Sequence, residues 1–87
     1  MDDFEVNLWI FPPADFADWC KLVGTPQVGN HAGYMTLLAA VQADLERQGL
    51  TVRRVKMTVA EMRAALAEHG WPNTPDYRAA VIAARTD

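Results

Sequence analysis

One cysteine, Cys20, stands alone among 87 residues, which excludes an intrachain disulfide and any metal site built on several thiolates. Histidine is nearly as scarce. His31 and His69 are far apart, and neither HxxxH nor CxxC spacing occurs, so no metal-ligand pattern is written into the chain. The glycines are few, and Gly24, Gly29 and Gly33 match neither the phosphate-cradling nor the dinucleotide-binding pattern. Long apolar runs are also missing. The longest wholly apolar stretches, residues 37–41 and 79–84, fall well short of the ~20 residues that a membrane span requires. Acidic residues follow Met1, and no basic segment precedes an apolar one, so the chain reads as cytoplasmic with no secretory leader.

What is present describes a folded domain. Hydrophobic residues make up 51% and charged residues 22%, a globular balance, and residues 1–87 are of a size to fold as one domain on a single core. Net charge is −3 and unevenly spread. Residues 1–46 carry seven acids against Lys21, and residues 47–87 carry seven bases against four acids. Such asymmetry gives either two surfaces of opposite sign or two halves that neutralise each other on contact.

Residues 30–49 hold the clearest helix. Tyr34, Leu37, Leu38, Val41 and Leu45 repeat at the helical period, Asn30 suits the N-cap, and Gly49 with Leu50 suits a Schellman stop. That stripe marks it as the core helix. Before it, Phe4, Val6, Leu8 and Ile10 alternate with polar residues as a half-buried strand does, but Trp9 and Phe11 break the pattern. Pro12 and Pro13 end that strand. Phe16, Trp19, Cys20 and Val23 follow at helical spacing up to Gly24 and Pro26, with a loop beyond.

Residues 50–57 read as a second strand with a phase conflict, because Leu50 and Val52 point opposite to Val55 and Met57. A bulge near Arg53 and Arg54, or a late strand start, would resolve it. Thr58 and Glu61 then form a capping box, with Met57 placed to staple onto Met62. That helix buries Val59, Met62, Ala65 and Leu66 and stops at Gly70. Thr74 and Pro75 start a last helix with a stripe of Tyr77, Ala80, Val81 and Ala84. The expected fold is α+β: a small single domain in β-α-α-β-α-α order, helix-dominated, with a two-stranded sheet or one completed by another chain.

No residue set points to catalysis. Cys20 lies on the apolar stripe of its helix, where a packed thiol is the expectation, and Asp15 and Asp18 read as solvated surface acids. No catalytic, cofactor or metal residue is assigned. The last two helices have the outline of a helix-turn-helix, with Arg78 and Arg85 on the second. That helix otherwise offers alanines and Asp76 to a base edge, and the domain is net acidic.

Elimination leaves a non-catalytic protein-interaction module. Its expected docking residues are the acids Asp15, Asp18, Asp44 and Glu46 with the aromatics Trp9, Phe11 and Trp71. The specific form of this expectation is a phage or mobile-element accessory inhibitor, of the kind that anti-CRISPR proteins are, docked on a basic nucleic-acid-binding host complex. The alternatives are a DNA-binding regulator using Arg78 and Arg85, and a structural subunit, such as a homodimer, joined through its sheet edge.

Overall fold

A computed structural model of the chain describes residues 5–24 and 28–85. Phe4, the first residue of the expected strand, and Pro26 in the expected loop lie outside the described residues. The elements run β1 (Glu5–Ile10), a 3₁₀ turn (Pro13–Asp15), α1 (Phe16–Val23), α2 (His31–Arg47), β2 (Thr51–Lys56), α3 (Val59–His69) and α4 (Pro75–Ala84). The domain is α+β and helix-dominated, in the expected order.

The helix boundaries follow the local chemistry. Asn30 caps α2 by accepting from the Gly33 amide at 2.7 Å. At its other end Gly49 takes φ 87°, and the Leu50 amide returns to the Leu45 carbonyl at 3.1 Å, the closing bond of a Schellman motif. Thr58 and Glu61 exchange the two bonds of a capping box at 3.1 and 2.8 Å. A second Schellman motif closes α3, with Gly70 at φ 69° and the Trp71 amide on the Leu66 carbonyl at 2.9 Å.

β1 and β2 pair in parallel, residue for residue, from Glu5 opposite Thr51 to Ile10 opposite Lys56. Parallel strands cannot be joined by a tight turn, so the chain between them crosses over through α1 and α2. Helices cover both faces. Trp9 and Val55, a register pair, pack into the main core with residues of α3 and α4. On the opposite face Arg54 of β2 reaches Gln42 of α2 at 2.7 Å.

This two-sided cover removes the expected bulge. β2 is regular through Arg53 and Arg54, and its two apolar phases serve two helical layers: Val55 faces the main core and Val52 faces α2. The break at Trp9 in β1 has the same cause.

The core itself lies elsewhere than the α2 stripe implies. Met62 is fully buried and Val55 is 1% exposed, and with Leu22, Met57, Val59, Leu66, Val81 and Ile82 they form one contiguous cluster. α2 buries only Leu38, while Leu37 is 51% exposed and Val41 40%. It covers one face of a sheet only two strands wide, so its stripe is broader than the surface beneath it. α1 contributes Leu22, with Phe16, Trp19, Cys20 and Val23 half-buried beside it. α4 is rotated from the expected stripe. It buries Val81 and Ile82, flanked by half-buried Arg78 and Arg85, and leaves Tyr77, Ala80 and Ala84 exposed.

Placement of the core sets a direct contrast. Met62→Ala is expected to cost about 2–5 kcal/mol of stability, as truncation in a closed core does. Leu37→Ala is expected to cost about 1 kcal/mol or less, since half of that side chain already meets water. Urea denaturation midpoints measure both, and equal losses would return the core to α2.

Candidate functional site

The end of β1 is held by an aromatic cluster. Phe11, 3% exposed, stacks on Trp19 of α1 with centroids 5.2 Å apart and the planes 23° from parallel. Tyr34 and His31 of α2 close on the same ring at 4.8 and 5.2 Å, and Trp9 meets its edge at 5.7 Å. Trp9 also donates its indole N–H to the Met57 carbonyl at 2.7 Å. Both aromatics thus serve packing, Phe11 wholly inside and Trp9 against the core. The burial of Phe11 leaves no surface for the docking role expected of it, whereas Trp9 is half-buried. Trp71 is half-buried, stacked on His69 at 4.1 Å and packed against the main core.

The four acids are dispersed. Asp15 accepts from the Val59 amide at 2.8 Å and so holds the start of α3 to the turn before α1. Asp44 pairs with Arg47 at 2.8 Å and accepts from Gln48 at 3.0 Å, and Glu46 accepts from Gln42 at 3.3 Å. Asp18 is exposed on α1. The charge halves partly neutralise each other, because Glu5 lies 3.7 Å from Arg53 across the strand pair.

The residues weighed for chemistry are occupied separately. His31 directs Nε2 to the Phe11 carbonyl at 2.7 Å, so that nitrogen carries the donated proton. His69 stacks on Trp71, and Cys20 is a half-buried free thiol. Among the described residues no three His, Cys, Asp or Glu side chains converge as a metal site would need. Arg78 donates to Asn73, and Arg85 pairs with Glu61 at 3.2 Å, so both bases of the helix-turn-helix reading are turned to the protein.

An open sheet edge is among the expectations from sequence, but the exposed apolar shelf that Leu37 and Val41 form along β1 is not. The Met57 amide donates to the Ile10 carbonyl at 3.0 Å, so alternation turns the backbone groups of Val6, Leu8 and Ile10 to β2 and those of Glu5, Asn7 and Trp9 outward. Two of the outward acceptors at the end of the strand are plugged. Tyr34 donates its hydroxyl to the Trp9 carbonyl, and His31 takes the Phe11 carbonyl. Around Glu5 and Asn7 no described residue pairs with the outer edge. α2 runs antiparallel to the strands, since Tyr34 meets Trp9 at their ends and Gln42 meets Arg54 nearer their start. Gln42 marks the flank toward β2. Leu37 and Val41 occupy the opposite flank, beside the open edge, and Asp44 follows them one turn on.

No family of proteins, curated protein or solved structure matches this chain.

Burial pushes the Tyr34 hydroxyl from 10.0 up to about 12. Below pH 10 both folded and unfolded chains keep that proton. As pH rises through 10 toward 12 the unfolded chain loses it first, so stability falls across this window. Tyr34→Phe is expected to flatten that fall while lowering stability near neutral pH by about 1 kcal/mol through the lost bond to Trp9. Alkaline unfolding curves of the two proteins make the comparison.

Proposed function

We propose that the chain is a non-catalytic protein-docking module that uses the shelf formed by α2 and the open edge of β1. The observation that carries this reading is the exposure of Leu37 and Val41, 51% and 40%, beside backbone groups of Glu5 and Asn7 that pair with no described residue. An extended segment of a partner can add to such an edge, its backbone bonding to β1 and its alternate apolar side chains resting on Leu37 and Val41. β2 suits this less, because Arg53, Arg54 and Lys56 crowd it with positive charge, the common protection of an exposed edge.

The partner class that fits is a protein with an apolar segment next to basic residues. Asp44 stands beyond Val41, and Asp18 and Glu46 are exposed acids on the same pair of crossover helices, so charge complementarity would orient the approach. A nucleic-acid-binding host complex has such surfaces, and accessory inhibition of one is the specific form of this proposal.

A photo-crosslinking residue at position 37 or 41, in cells that naturally make the protein, is expected to trap a discrete partner, and the same residue at exposed position 63 is not. Leu37→Asp combined with Val41→Asp is expected to abolish the crosslink formed from a probe at position 44, at a stability cost of about 1 kcal/mol or less. Equal crosslinking from positions 63 and 41, or a signal unchanged by the double substitution, overturns the docking face. A concentration-dependent dimer lost in the double variant would make the partner a second copy of the chain.

A further inference from the structure

A cleft of about 390 Å³ opens where the two strands end, on the side of the molecule away from the start of β1. Its floor and walls are apolar: Ile10, Phe11 and Pro12 from the end of β1, Met57 from the end of β2, and Met35 from α2. The volume lies at the lower end of the roughly 300–1,000 Å³ typical of small-molecule sites. The carboxyl ends of parallel strands are also where crossover folds place such sites, because the connecting segments diverge there.

The polar groups on the rim are not equivalent. Glu61 commits one carboxylate oxygen to the Thr58 amide at 2.8 Å and the other to Arg85 at 3.2 Å. Those bonds, the capping amide first, hold its carboxyl below the usual range and keep it ionised and engaged. His31 has its Nε2 tied to the Phe11 carbonyl. Lys56 remains for a ligand. The Lys56 ammonium makes no ion pair with any described residue, whereas the Thr58 hydroxyl is engaged with Glu61, accepting from its amide and bonding to its carboxylate. The ammonium is a donor and a cation.

We propose that this cleft binds a small carboxylic acid with an apolar chain, the chain lying among Ile10, Phe11, Met35 and Met57 and the carboxylate meeting Lys56. Apolar walls reward the chain by removing it from water, and the rim selects an anionic acceptor over a cationic or purely apolar molecule. The site is separate from the docking shelf, which lies on the other flank of α2, so the two stand or fall independently.

Octanoate is the probe, titrated into the full chain and followed by amide chemical shifts. The expected result is saturable shifts confined to residues 10–12, 31–35 and 56–61. Affinity should weaken by up to about fivefold in Lys56→Gln, the contribution of an ion pair that remains partly open to solvent. Octanol, which lacks the charge, should weaken to a similar degree with wild-type protein and show no further loss with Lys56→Gln. Met35→Trp should block the cleft and remove the shifts, while its unchanged far-ultraviolet circular dichroism shows the fold intact. Absence of saturable shifts overturns the proposal, as do equal affinities of octanoate for wild type and Lys56→Gln. Shifts centred on Leu37 and Val41 would also overturn it, since they would place apolar binding on the shelf.

Discussion

Everything in this fold depends on two strands that pair in parallel, with no third strand among the described residues. Parallel pairing forbids a hairpin and obliges the chain to travel from the end of β1 back to the start of β2, which it does through α1 and α2. A sheet so narrow has no stability of its own and must be sandwiched. The crossover supplies the α2 layer on one face, and α3 and α4 supply the other. The apolar phases of both strands follow from this. Trp9 and Val55 serve the deep layer, while Val6, Leu8 and Val52 serve the shallow one.

The two layers are unequal, and the inequality shapes the surface. The deep layer closes around Met62 and Val55 as an apolar core, with no polar side chain buried in it among the described residues. The shallow layer is anchored at one end, where Phe11 gathers Trp19, His31 and Tyr34. Away from that anchor α2 is wider than the strands it covers, and Leu37 and Val41 overhang. The anchor also closes the end of β1 to pairing, because Tyr34 and His31 occupy its outward carbonyls. One cluster therefore fixes the crossover, leaves the other half of the edge open, and forms one wall of the cleft.

Charge plays a local part. Asp15 fastens the start of α3, Glu61 completes a cap and holds Arg85, and Glu5 approaches Arg53 across the strands. Such exposed pairs contribute little stability singly. Two of them, Asp44 with Arg47 and Glu5 with Arg53, join the acidic half of the chain to the basic half, and Lys56 at the cleft and Asp18 on α1 are among the groups without an ion-pair partner among the described residues.

The sequence by itself determined where helices begin and end. Asn30, Thr58 and Thr74 cap by side-chain bonds to amides within the next turn, and Gly49 and Gly70 stop helices through backbone angles open to glycine, so each boundary is settled within a few residues. The α+β class and the order of elements follow from those boundaries and from the period of the apolar residues. Periodicity says which residues share a side of an element, but not what lies against that side. Only the tertiary structure decided that the sheet is covered on both faces, and this turned an apparent bulge in β2 into a regular strand. It also left the longest apolar stripe half-exposed, rotated α4 onto Val81 and Ile82, and drew Phe11 inside. The cleft is the extreme case, since its walls come from both strand ends and from α2, α3 and the end of α4. Their meeting depends on long-range packing that no local stretch encodes.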